Sequence, residues 1–85
     1  MATRQIIIDV PEKVLLAEKT DEAGFARELR MLAAVKLYEL GQLSSGAAAR
    51  LAGIPRVVFL TRLAEYGVDS FRLTEDELRA ETPLA

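Results

Sequence analysis

The chain has 85 residues, of which 51% are hydrophobic, and its 11 basic and 13 acidic side chains give a net charge of −2. It contains no cysteine and no histidine, which excludes disulfides, thiolate or imidazole metal ligands, thiol nucleophiles and imidazole acid–base catalysis. We therefore expect a non-enzymatic protein without a cofactor or metal, and because so short a chain cannot hide this much apolar surface alone, we expect a homodimer.

Charge divides the chain into three segments. Residues 1–43 contain six basic and seven acidic side chains (−1), residues 44–68 contain three and one (+2), and residues 69–85 contain two and five (−3). Because charge and residue pattern change together, we interpret the segments as a dimerisation module, a helix-turn-helix-like unit and an acidic C-terminal arm. No apolar run approaches the roughly 18 residues of a membrane span, so we expect a cytoplasmic protein with no membrane partner.

The N-terminal segment predicts a β-strand over residues 4–10, Arg-Gln-Ile-Ile-Ile-Asp-Val, because consecutive β-branched residues favour extended backbone and Pro11 cannot continue a ladder. A lone strand needs a hydrogen-bonding neighbour, which is either residues 71–73 of the same chain or the same strand of a second copy. The strand face expected at a dimer interface carries Ile6, Ile8 and Val10.

This strand and the two helices predicted after it resemble the ribbon-helix-helix dimer, in which paired strands enter the major groove of DNA. The outward strand positions here are Gln5, Ile7 and Asp9, and an isoleucine and an acid are unfavourable beside phosphates. The resemblance therefore predicts dimer formation and not DNA contact by the strand.

Two helices are predicted after the strand, a short one over residues 11–19 and a long one over residues 20–40, where Gly41 supplies the left-handed end. The long helix is apolar on nearly all sides, which predicts a buried helix central to a homodimer, with packing on both sides inside a monomer as the alternative. Its expected dimer contacts are Leu29, Leu32, Val35 and Leu37. Whether the strand or this helix makes the dimer stays open.

The middle segment predicts a helix-turn-helix-like pair. Ser44 caps a helix that ends at Gly53, and Pro55 opens a second helix that reaches Tyr66. Small residues, Ala48 or Ala49, stand where the helices would cross. The predicted fold is thus mainly α, with an N-terminal strand, a long buried helix and this pair, although alanine-rich helical hairpins without any DNA role produce the same pattern.

Few side chains of the second helix suit sequence readout. The candidates for DNA contact are Arg50, Arg56, Thr61 and Arg62, whereas Glu65 would repel phosphates. A solvated charged rim is the alternative explanation for the arginines. Val57 and Val58 suit a protein contact as well as a DNA groove.

The C-terminal arm, residues 69–85, combines a capping box that begins at Thr74 with five acidic residues. Acidic side chains fit a basic partner surface and apolar ones fit its grooves. The expected partner-binding residues are Phe71, Leu73, Asp76, Glu77 and Leu78. An acidic tail without a partner explains the same residues.

Nearly the whole chain carries residues typical of one family. They are Ile-Asp-Val-Pro-Glu (8–12), Leu-Ala-Ala-Val-Lys-Leu-Tyr-Glu-Leu-Gly-Gln-Leu-Ser-Ser-Gly-Ala-Ala-Ala-Arg-Leu-Ala-Gly-Ile (32–54), Phe-Leu (59–60) and Tyr-Gly-Val (66–68). In these residues the chain resembles the uncharacterised family UPF0175, small prokaryotic proteins proposed to be antitoxins. The resemblance implies a type II toxin–antitoxin role, a PIN-domain ribonuclease-like partner and autoregulatory operator binding by the helical pair.

The leading hypothesis is therefore a dimeric antitoxin-like protein that neutralises a toxin through residues 69–85 and contacts operator DNA through residues 44–66. Two hypotheses from other classes remain. One is a DNA-binding regulator without a toxin partner, and the other is an adaptor or oligomerisation module that holds another protein through Val57 and Val58.

Overall fold

The computed structural model describes residues 2–68 and is helical. Each helix lies within a few residues of the range that the sequence pattern predicts. The elements are α1 (Glu12–Ala17), α2 (Glu22–Glu39), α3 (Ser45–Ala52), α4 (Arg56–Arg62) and a 3-10 turn (Leu63–Tyr66) that directly continues α4.

The predicted N-terminal strand is absent from the described chain. Residues 2–11 have no regular secondary structure, Ile6 and Ile8 are exposed, Ile7 is 94% exposed, and Val10 is only half-buried. Residues 2–68 contain no strand, so this part of the chain offers no β-ladder hydrogen bonds to the N-terminal segment. The predictions of a β-strand and of ribbon-helix-helix pairing are therefore wrong, because β-propensity expresses fit to a sheet that is already present.

The helix ends follow local chemistry. The Oδ1 atom of Asp21 accepts a hydrogen bond from the Gly24 N–H at 2.8 Å at the start of α2, and Ser44 Oγ accepts one from the Ala47 N–H at 3.2 Å at the start of α3. Each side chain satisfies a backbone donor that the helix leaves unpaired. Gly41 and Gly53 end α2 and α3 with φ angles of +79° and +78°, a region that costs glycine little.

The core lies where α2, α3 and α4 meet. The Tyr38 and Phe59 rings, from α2 and α4, contact edge to face, with centroids 5.6 Å apart and planes at 82°. Ala48 and Ala49 of α3 are both buried against this cluster, and one or the other was expected where the helices cross. The core comprises Met31, Ala34, Val35, Tyr38, Ala48, Ala49, Phe59, Leu63 and Val68.

The long helix is buried on one side only. The face with Met31, Ala34, Val35 and Tyr38 packs into the core, whereas Leu32, on the opposite side, is 46% exposed. The alternative, in which elements of the same chain cover both sides of this helix, is therefore not seen within residues 2–68, and a helix buried in a homodimer stays a prediction. Both sides of α2 are apolar, but residues 2–68 provide covering elements for only one of them.

Candidate nucleic-acid interface

The predicted helical pair is formed by α3 and α4, which are joined by the three residues 53–55. The N–H groups of Gly53 and Ile54 donate to the Ala49 carbonyl at 2.8 and 3.1 Å, which closes the end of α3. At the start of α4, the Phe59 N–H donates to the Pro55 carbonyl at 2.9 Å. The turn is therefore short and hydrogen-bonded, and it fixes the direction in which α4 leaves α3.

Arg56 connects the two helices instead of pointing freely outward. Its Nε–H donates to Ser45 Oγ at 2.7 Å, and Ser45 is fully buried in the first turn of α3. A charge-assisted hydrogen bond of this length orients the guanidinium. Of the four residues expected to contact DNA, Arg56 thus holds the first turn of α4 against α3, and its side chain is half-buried.

Thr61 and Arg62 lie at the far end of α4. The Thr61 hydroxyl donates to the Val57 carbonyl at 2.8 Å, which leaves its oxygen exposed as an acceptor. Arg62 approaches Glu65 at 3.6 Å and the Tyr66 hydroxyl at 3.4 Å, while its side chain stays 40% exposed. Surface ion pairs of this kind are weak, so the contact with Glu65 does not fix the Arg62 guanidinium.

Two further arginines, one on α3 and one on α2, add positive charge near the turn that joins α3 and α4. Arg50 is exposed on α3, as a DNA-contacting residue requires. Arg30 of α2 donates from Nε to the Leu51 carbonyl at 2.7 Å and lies beside Gly53. Arg30 was not among the residues that the sequence pattern predicted for this site. The available signal was its position at the edge of the helix face that carries Met31 and Ala34, which faces α3.

The residues expected at a dimer interface separate in the structure. Val35 is buried in the core of its own chain, whereas Leu32 is exposed and both Leu29 and Leu37 are half-buried on the outside of α2. The isoleucines of the N-terminal segment are exposed without forming a strand. The expected partner-binding residues Phe71, Leu73, Asp76, Glu77 and Leu78 lie outside the described residues.

Other surfaces of the described chain carry little chemistry. A shallow open depression between α1 and α2 is lined by Leu15, Leu16, Lys19, Thr20 and Asp21. Within residues 2–68, no three acidic side chains cluster in a way that could hold a metal ion. In the same part of the chain, no helix has the length and apolar character needed to cross a membrane.

Comparison with known proteins places the chain in a family. A family model described as an uncharacterised protein family, UPF0175, matches residues 1–84. The chain belongs to UPF0175. A UPF0175 protein from Aeropyrum pernix is 32% identical over 85 residues, which cover 100% of this chain and 90% of the relative. No solved structure matches significantly.

Family membership confirms the resemblance seen in the sequence but assigns no activity, because UPF0175 is described as uncharacterised. The choice among the candidate functions of this UPF0175 chain therefore depends on its surface chemistry. Of the three charge segments, only residues 44–68, which include α3 and α4, carry a net positive charge, with three arginines and one glutamate.

Proposed function

We propose that this chain is an antitoxin-like protein of a type II toxin–antitoxin system. In this proposal α3 and α4 act as a helix-turn-helix that contacts operator DNA, and residues 69–85 contact a toxin of the PIN-domain ribonuclease class. The observation that carries the DNA part is the short, hydrogen-bonded turn between α3 and α4, together with the exposure of Arg50 on α3 and of Val57 and Thr61 on α4.

The chemistry of that face suits a DNA groove. Arg50 and Arg62 supply the positive charge that neutralises backbone phosphates and positions a protein on the duplex. Val57, which is 72% exposed, and Thr61 lie one turn apart on the exposed face of α4, and Arg62 follows Thr61 directly. Apolar side chains read thymine methyl groups in the major groove, so these two residues supply base contacts without long polar side chains.

Salt-dependent binding of the duplex upstream of the chain's own gene tests the DNA part. We expect fluorescence anisotropy to give an affinity that falls steeply with salt, and Arg50→Ala or Arg62→Ala to reduce the slope of log K against log salt by about 0.9 each. Lys13→Ala is the matched control, because Lys13 is an exposed cation on α1. Absence of salt-dependent binding, or an equal effect of Lys13→Ala, would refute the assignment.

The toxin part is supported by charge. Residues 69–85 contain five acidic and two basic side chains. An RNA-cleaving partner must present a basic surface to its substrate, and an acidic segment complements such a surface. Phe71, Leu73 and Leu78 supply apolar side chains for grooves in that surface.

Coexpression with the product of the adjacent reading frame tests the toxin part. We expect the two proteins to copurify and the chain to relieve any growth arrest that the neighbour causes. Asp76→Lys with Glu77→Lys should abolish both effects. Glu12→Lys with Glu18→Lys changes the net charge equally at exposed positions at the two ends of α1, and it should not abolish them. Unchanged rescue by the Asp76 and Glu77 variant would exclude this contact.

A second candidate function is a protein-binding adaptor, and a specific observation favours it. Val57 and Val58 are exposed at the start of α4, next to an Arg56 that is engaged with Ser45. In an adaptor, Val57→Ala with Val58→Ala weakens capture of the protein partner, while Arg50→Ala and Arg62→Ala leave it unchanged. In a DNA-binding protein, the arginine variants have the larger effect.

A further inference from the structure

The outside of α2 carries a second apolar surface, opposite the core. We call it the outer stripe, and it consists of Phe25, Ala26, Leu29, Leu32 and Ala33. At about 100° per residue, its centre lies roughly 180° around the helix from the face that packs on α3. Leu32 is 46% exposed, and both alanines are exposed. Within residues 2–68, no element packs over the stripe to the extent that α3 covers the opposite face.

The stripe is bounded by two opposite charges. Glu22 lies at its N-terminal end and Lys36 at its C-terminal end, each seven residues from Leu29. When two copies of α2 lie antiparallel with Leu29 opposite Leu29, each Glu22 stands opposite the Lys36 of the other copy. In a parallel pair, like charges would face each other at both ends. Charge therefore favours the antiparallel arrangement.

Side-chain size follows the same symmetry. In this register Phe25 stands opposite Ala33, and Leu32 stands opposite Ala26, so a large side chain meets a small one at each position. Interdigitation of large and small side chains lets two helices approach closely. In a twofold interface, the same surface of each copy must be complementary to itself about the axis. Binding to a different protein would not require this symmetric arrangement of charge and side-chain size.

We propose that the outer stripe binds the outer stripe of a second copy of this chain, antiparallel, with the twofold axis at Leu29. The contact extends from Glu22 to Lys36, about 21 Å along each helix. It uses no strand pairing. Lys36 now contacts Glu39 of its own helix at 3.1 Å with both side chains largely exposed, a weak pair that Lys36 can exchange for the partner's Glu22.

Sedimentation equilibrium of the full chain is the first test, and we expect a dimer. Leu29→Asp should raise the dimer dissociation constant by about a hundredfold, because two carboxylates then meet at the axis. The matched control is Ile7→Asp, an equally polar change in the exposed N-terminal segment, which should alter it less than about threefold. A monomeric wild-type chain, or a dimer that Ile7→Asp dissociates and Leu29→Asp does not, would overturn the proposal.

Charge exchange gives a test that does not depend on how well Leu29→Asp folds. Glu22→Lys or Lys36→Glu alone should weaken the dimer about tenfold, since each creates two repulsive pairs. The double variant should return to within about threefold of the wild type, although it places both charges unfavourably for the helix dipole. Circular dichroism verifies that each variant is helical. Additive weakening in the double variant would contradict the Glu22–Lys36 pairing.

Cysteine crosslinking determines the orientation, because the chain contains no cysteine of its own. Under mild oxidation, Leu29→Cys should form a disulfide-linked dimer. Lys36→Cys alone should not, but it should crosslink when mixed with Glu22→Cys. Efficient self-crosslinking of Lys36→Cys would indicate a parallel pair and would overturn the proposal.

Discussion

The contact between Tyr38 and Phe59 is expected to contribute measurably to stability, because it joins α2 to α4 across the core. Phe59 is fully buried, and its ring meets Tyr38 edge to face at 5.6 Å. Phe59→Leu keeps an apolar side chain but removes the ring, which costs about 1–2 kcal/mol for the lost packing. The lost ring contact adds about 0.5–1.5 kcal/mol. A chain of this length has a total stability of about 4–13 kcal/mol, so the variant remains folded but is clearly weakened.

Urea unfolding followed by circular dichroism measures this effect. With a slope near 1 kcal/mol per molar urea, the midpoint of Phe59→Leu should fall by about 2 M. All variants are compared at one protein concentration, because the proposed self-association would make the midpoint depend on it. Val57→Ala is the control on the same helix, and it should change stability by less than about 0.5 kcal/mol because Val57 is exposed.

A double-mutant cycle separates the ring contact from simple loss of volume. Tyr38→Leu, Phe59→Leu and the double variant should give a coupling energy of about 0.5–1.5 kcal/mol. A coupling within about 0.3 kcal/mol of zero would show that the two rings act independently. That result, or a Val57→Ala variant as unstable as Phe59→Leu, would refute the core packing described above.

Two further predictions concern the ends of α3. Gly53→Ala should destabilise the chain by more than about 1 kcal/mol, because its φ is +78° and a Cβ atom would lie 3.2 Å from the Arg30 guanidinium. Gly41→Ala is the control, because Gly41 has a φ of +79° but open space around it, so this variant measures the backbone cost alone. If thermal unfolding shows the same loss of stability for both variants, the contact with Arg30 has no effect. Ser45→Ala should cost about 1.5–3 kcal/mol, because it removes an acceptor of the Arg56 guanidinium, and a melting temperature within 1–2 °C of the wild type would contradict this.

The elements that the sequence predicted well are those fixed by neighbouring residues. The cap at Ser44 and the left-handed glycines depend only on contacts within a few residues, so these helix ends are readable from local chemistry. The start of α2 is capped by Asp21, one residue after the Thr20 at which the long helix was expected to begin. The prediction of a strand over residues 4–10 was wrong for the opposite reason. Its backbone groups need a distant partner, and no propensity scale states whether one is present.

In the candidate site, too, local features could be predicted from the sequence and contacts between distant residues could not. The four residues expected to contact DNA were named from residue type and helix position, but the bond between Ser45 and Arg56 spans 11 residues and the bond from Arg30 to Leu51 spans 21. Only the fold brings these atoms together, so the structural role of Arg56 could not be seen in the sequence. Nor could the pattern of α2 show which of its two apolar faces meets the core.

The absence of buried side chains in α1 has a consequence for turnover of the protein. Because no side chain of residues 12–17 is fully buried, this helix can open without disturbing the core formed by α2, α3 and α4, and its amide protons should exchange with deuterium far sooner than those of the core. A protease acting on such an opened state would trim the first twenty residues while the remaining helices stay intact. Cellular lifetime of the N-terminal part would then be set by local opening, and that of the helical core by global unfolding.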